Sequence, residues 1–263
     1  MSAGHAIGAL LLVVVLGAAQ SGSGRRWGQY EHEMQNPADD PPGAWDHTEF
    51  AWGRLRYRSN RRSYYGSRWG VDANKSDRHF LQGLRRLTRI DARSVEQIVD
   101  VDGDEMFEWP WLYAVGVGDW VFSESQAARL RKYFQRGGFL MVDDFHNERE
   151  WADFMVGIER ILPGHAVVEL ENDDPIFHTV YDLTQRFRVP GLNVVHGSQI
   201  ERGGTYPHWR GVVDDQGRVV VAICFNQDLG DAWEWADLPE YPEKYASMAF
   251  KIGVNYVVYA MTH

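Results

Sequence analysis

The strongest constraint on the fold is an alternation along residues 97–170, where short, almost continuous apolar runs take turns with segments of helical period. Leu112–Val117 and Phe139–Val142 are apolar with scarcely a break, as expected of strands buried on both faces of a sheet. Between and after them lie helix patterns. Ser123 and Gln126 are spaced as a capping box ahead of Ala127, Leu130 and Phe134, and Gly137-Gly138 closes that segment. Asn147 can cap a second helix whose Trp151, Phe154, Met155, Ile158, Ile161 and Leu162 recur at helical spacing until Pro163-Gly164.

The same grammar extends outward. Phe50–Tyr57 alternates and reads as a strand, and Phe80, Leu81, Leu84 and Leu87 mark a helix that starts near Ser76-Asp77 and ends near Arg85, Arg86 and Arg89. Residues 97–101 and 166–170 are further strands. Residues 209–213 and 218–225 flank Asp214–Gly217 as a hairpin, residues 171–208 are irregular apart from a short helical turn near 176–181, and 243–261 is a long terminal helix. Strand–helix alternation of this kind predicts an α/β fold with a mainly parallel sheet, helices on both faces and a late antiparallel hairpin at one edge. With 263 residues, 44% of them hydrophobic, one sizeable core is expected, and a single domain over 50–263.

Ahead of that domain, the apolar run Ile7–Leu16 is too short to cross a bilayer comfortably and is followed by small residues Gly17-Ala18-Ala19. It predicts a signal peptide over 1–19, and hence a secreted or periplasmic protein with no membrane span in the mature chain. An N-terminal membrane anchor is the alternative, because no Lys or Arg precedes the run. Residues 20–49, rich in Gly, Ser, Pro, Asp and Asn, read as a linker or irregular arm.

A formal charge of −10 argues against a nucleic-acid partner. Arg54, Arg56 and Arg58 would share one strand face, solvated, paired with the acidic excess of the chain, or facing an anionic ligand. The single cysteine, Cys224, allows no intrachain disulfide, and no His/Cys zinc spacing, GxGxxG fingerprint or P-loop is present, so no nucleotide cofactor is expected. The 11 tryptophans fit either a packed core or an aromatic-lined cleft.

Several motifs together carry a family resemblance: Trp69-Gly70-x-Asp72, Glu108–Tyr113, the Ser-x-x-Gln helix running into Arg136–Asp144, Phe225–Trp233, and Gly253–Tyr259. From about residue 50 to the end the chain resembles the bacterial domain of unknown function 4159. That family is similar in fold to class I glutamine amidotransferase-like domains, so the resemblance implies a flavodoxin-like three-layer sandwich. It implies no activity. The amidotransferase nucleophile is a cysteine on a strand-to-helix elbow, with a histidine and an acid nearby. The comparable strand here ends in Asp143-Asp144, Cys224 lies in an alternating strand without framing glycines, and no GxSxG elbow occurs.

In open α/β sheets ligands bind at the carboxyl edge of the strands. The polar residues expected there are Trp69 and Asp72, then Asp143, Asp144, His146 and Asn147, then Asn226, Asp228, Asp231 and Trp233. Three chemistries fit this set. Asp143, Asp144 and His146 could hold a divalent metal. Asp144 and Asp228 could serve as an acid/base pair on a sugar stacked by Trp69 and Trp233. The polar groups could instead be caps and turn formers. The leading expectation is therefore an exported, non-catalytic domain that binds a small or carbohydrate ligand, or an envelope protein. The alternative is an exported hydrolase acting on a carbohydrate or ester, with Asp143, Asp144, His146 and Asp228 as its catalytic candidates.

Overall fold

The computed structural model describes residues 40, 42–60, 68–198 and 200–263. The expected signal peptide and most of the expected arm lie outside these residues. The main-sheet strands are β1 (Gly53–Arg56), β3 (Gln97–Asp100), β4 (Trp111–Val115), β6 (Phe139–Phe145), β7 (Val167–Glu169), β8 (His208–Val213) and β9 (Val219–Phe225). They form one seven-stranded sheet in the order β3-β1-β4-β6-β9-β8-β7. Neighbours from β3 through β9 pair in parallel, and β8 and β7 add an antiparallel edge. The expected mainly parallel sheet with a late hairpin is thus the architecture. Two short strands, β2 (Arg58–Ser59) and β5 (Trp120–Val121), pair outside it.

Helices α1 (Lys75–Leu87), α2 (Glu124–Gln135), α3 (Asn147–Ile161), α4 (Leu192–Val195), α5 (Leu229–Glu234) and α6 (Glu243–Thr262) complete the fold. Alternation along β4 and β6 sorts the core into two halves. Trp111, Tyr113, Phe139 and Met141 face α1, α5 and α6, whereas Leu112, Ala114, Leu140 and Val142 face α2 and α3. On the first face Trp52 meets Phe80 at 4.7 Å, Tyr113 at 4.9 Å and Trp233 at 5.6 Å between ring centroids. Most of the described tryptophans are spent in this way. Trp52, Trp111, Trp120, Trp209, Trp233 and Trp235 are all buried.

The Ser123 capping box forms as expected: Ser123 Oγ accepts the Gln126 N–H at 3.2 Å, and Gln126 Oε1 accepts the Ser123 N–H at 3.0 Å. Arg54 meets the expectation of an acidic partner, but in the core rather than on a solvated face. It is fully buried and grips Asp77 with Nε and Nη2, each at 2.6 Å, while Nη1 donates to the carbonyls of Trp69 (3.0 Å) and Val71 (2.9 Å). Arg54 therefore ties β1, α1 and the loop before α1 together, and neither solvent nor a ligand reaches it. Arg56, two residues on, pairs with Asp100 at the surface. A second departure is α5, a helix in a stretch that reads as loop.

Candidate functional site

The site is set by the way β6 ends. Val142 pairs with Ile223, but Phe145 pairs with Phe225, so Asp143-Asp144 carries one extra residue: a β-bulge with Asp144 in the left-handed region at φ +52°. The bulge sends the two carboxylates to different places. Asp143 Oδ2 accepts the N–H groups of Leu229 (2.7 Å) and Gly230 (2.9 Å) and the Tyr113 hydroxyl (3.3 Å). It pins the start of α5 to the sheet. Burial pushes its carboxyl well above the usual range, and the Asp144 charge adds to this against the donated amides. Among the described residues Asp143 does not join Asp144 and His146 in a group of metal-ligating atoms; Glu201 stands with them instead.

Asp144 and His146 do meet. The Asp144 carboxylate accepts from His146 Nε2 at 3.2 Å and from Arg202 Nη2 at 2.5 Å, and Arg202 also donates to the Asp144 carbonyl at 2.7 Å. Glu201 Oε2 lies 3.9 Å from His146 Nε2. Glu150 accepts the His146 backbone N–H (2.7 Å) and pairs with Arg68 (3.1 Å) and, more loosely, with Arg202 (3.7 Å). Burial alone would raise the Asp144 pKa, but Arg202, His146 and Arg68 outweigh it and hold the carboxyl well below the usual range. Two guanidinium groups thus supply the countercharge that a metal would otherwise bring. Gly116 makes room for one of them: at φ +66°, a Cβ there would meet Arg68 Nε at 2.9 Å.

A second set of carboxylates lies toward α5. Asp228 is the N-cap of α5 and accepts the Asp231 N–H at 2.9 Å. Asp231 accepts the Leu192 N–H at 2.6 Å and Trp235 Nε1 at 3.2 Å. Oxygens of Asp72, Asp231 and Glu234 all lie within 4.8 Å of one another. Burial and neighbouring carboxylates push Asp72 and Asp228 well up, and Asp231, although partly relieved by the Leu192 N–H, to about 7.

The remaining expected residues have local roles. Asn147 Oδ1 accepts the N–H groups of Arg149 (3.0 Å) and Glu150 (3.1 Å), capping α3 as expected. Asn226, at φ +59°, accepts the Asn147 N–H and donates to the Tyr206 carbonyl. Trp233 is fully buried between Phe80, Trp52 and Tyr113, so its ring cannot stack a ligand. Trp69 is half-buried with Arg56 over its ring at 5.7 Å. Cys224 is fully buried and burial pushes its thiol up, which leaves it without nucleophile character.

Open volume lies beside the end of β6. A pocket of about 500 Å³ is bounded by the start of α3 (Asn147, Arg149, Trp151), by Gly203, Thr205 and Tyr206, and by His208, Arg210, Phe225 and Asn226 on the β8–β9 edge. Tyr206 is 73% exposed and presents an open ring. Arg210 lies over Trp151 at 4.3 Å. Arg68, Glu150, Glu201, Arg202, Trp151 and Tyr206 are members of this region that the motif reading did not select. Trp151 was legible only as an apolar helix position, and Glu201, Arg202 and Tyr206 sit in a stretch without periodicity.

No helix among the described residues is long and apolar enough to cross a membrane. No curated protein matches the chain. Residues 52–261 match the domain of unknown function DUF4159, which spans both core halves and every site residue described above, and the chain belongs to that family.

Proposed function

We propose that this chain is an exported, non-catalytic binding domain of the cell envelope whose ligand is a carbohydrate held in the pocket between α3, the 203–206 loop and the β8–β9 edge. The observation that carries this reading is an exposed aromatic ring at an open pocket. Asp143, Asp144 and Asp228 are buried and committed to amides or arginines, while the adjoining 500 Å³ pocket offers the open Tyr206 ring, the edge of Trp151 and polar groups on Arg149, Thr205 and His208. A flat aromatic face with hydroxyl-matching donors and acceptors around it suits a sugar ring. The hydrolase alternative needs Asp143 or Asp144, Asp228 and His146 around one open volume, and His146 is fully buried.

The strand order supports the finer fold reading. Numbered among the five parallel strands alone, β3-β1-β4-β6-β9 runs second-first-third-fourth-fifth, the order of flavodoxin-like sheets. With the family resemblance this favours an amidotransferase-like scaffold without its nucleophile. Export rests on the 7–16 apolar run and the small residues after it.

The test is calorimetric titration of the protein with a panel of neutral and acidic oligosaccharides, repeated with Tyr206→Ala. Saturable binding that weakens at least about tenfold in the variant agrees with the loss of one stacking contact. Binding that Tyr206→Ala leaves intact, or none across the panel, contradicts the assignment.

A further inference from the structure

The lining of the pocket beside α3 runs against the charge of the chain. The formal net charge is −10, yet among the charged side chains that bound this pocket Arg149 and Arg210 stand against Glu148, which leaves an excess of one positive charge. Arg149 is exposed on the first turn of α3, and its guanidinium has no partner among the described residues.

The other basic side chains are held from behind. Glu169, on β7, accepts from Arg210 Nε at 2.8 Å and lies 3.2 Å from His208 Nδ1, and it is not part of the lining. Arg210 Nη2 is also near Nδ1, at 3.3 Å, but the carboxylate sets the tautomer by accepting the Nδ1–H. Nε2, without a partner among the described residues, is then the nitrogen with a free lone pair. The Arg210 guanidinium lies over the Trp151 ring at 4.3 Å, and the His208 ring stacks on Phe225 at 5.8 Å between centroids. Both side chains are therefore oriented before a ligand arrives, which lowers the ordering cost of binding.

We infer that this pocket selects an acidic sugar of the uronic-acid class, with its carboxylate on Arg149, a neighbouring hydroxyl donating to His208 Nε2 and the ring face on Tyr206; the inference rests on the sugar reading of the same pocket. A guanidinium matches a planar carboxylate with two parallel N–H bonds, and a charge-assisted pair of this kind is stronger than a neutral one. A neutral sugar would use Tyr206 and Thr205 and leave Arg149 to water. A single excess positive charge balances one carboxylate, whereas a polyanion would meet Glu148 at the lining and Glu169 behind it.

The experiment is calorimetric titration of the full chain with trisaccharides of galacturonate, glucuronate and mannuronate, each paired with its own methyl ester, and with neutral and sulfated trisaccharides beside them. The titrations are repeated with Arg149→Gln and Tyr206→Ala, and a thermal melt checks that each variant is folded. The expected result is saturable binding of at least one acid, at least about tenfold tighter than its ester. Arg149→Gln brings that acid down to the affinity of the ester, Tyr206→Ala weakens acid and ester alike, and raised salt weakens the acid alone. An acid and ester of equal affinity, or an acid whose binding Arg149→Gln leaves unchanged, overturns the carboxylate assignment and leaves the sugar reading standing. So does binding by neutral trisaccharides alone, or a sulfated trisaccharide that binds more tightly than every uronate. No binding by any acid, ester or neutral trisaccharide overturns both.

Discussion

Two neighbouring aspartates show how far one dihedral angle can divide chemistry. Asp143 and Asp144 share a strand, a charge and near-complete burial, yet the bulge delivers one to backbone amides and the other to arginines. Their pH behaviour follows. Asp144 has a depressed folded-state pKa, so it contributes stability above the ordinary carboxylate range, and that stability is lost as pH falls below about 4. Burial raises Asp231 to about 7, with Glu201 and Asp144 adding to it against the Leu192 N–H and Trp235 Nε1. The folded state then holds more protons than the unfolded one between about pH 4 and 7, so this contribution declines as pH rises through that window. Chemical denaturation in the presence of chelator is expected to show maximal stability near about pH 5. Asp231→Asn should flatten the alkaline limb and leave the acid limb in place. An unchanged alkaline limb would assign that slope elsewhere.

The buried Arg54–Asp77 pair makes a sharper mutational prediction. Arg54→Met leaves Asp77 buried and unpaired and is expected to cost about 3–5 kcal/mol in urea unfolding, whereas the surface pair partner change Arg56→Met should cost under about 1 kcal/mol. Equal effects would mean that burial does not set the difference. In the sequence Arg54, Arg56 and Arg58 are indistinguishable members of one alternating face. Burial of the first depends on Asp77, 23 residues away, a contact that no local pattern carries.

At the level of elements, the parts with regular period were legible and the parts held by long-range contacts were not. The capping box at Ser123, the Asn147 cap and the apolar stripe of α3 use local rules and appear where the sequence places them. Helix α5 is six residues long, too short to show a period, and owes its start to Asp143 and Asp228. That is why Trp233 reads as a loop aromatic and is in fact a core residue. The α6 helix tests the packing of this face. Gly253 lies against Phe80 and Trp233, and a Cβ there would run into the Phe80 ring. Gly253→Ala is expected to lower stability by about 1–3 kcal/mol despite the better helix propensity of alanine, read as a drop in the denaturation midpoint. A gain in stability would show that the face can relax.

For the whole molecule, the sheet gathers buried carboxylates and an open pocket at one edge. Strand alternation and the bulge bring buried carboxylates toward α5 and α1, and the β8–β9 hairpin with α3 frames an open, ring-lined pocket. The α/β class and the mostly parallel sheet with an antiparallel edge were readable from periodicity. The pocket beside α3 was not, because it depends on Gly203, Thr205 and Tyr206 in a stretch without pattern. The central proposal is that the pocket beside α3 binds and the buried Asp143, Asp144 and Asp228 do not catalyse. The most direct measurement follows an oligosaccharide shown to bind, over hours, for both complex formation and new reducing ends. Saturable binding without product, lost in Tyr206→Ala, is the predicted result. Product accumulating beyond one equivalent, and abolished by Asp228→Asn or His146→Asn, would contradict it.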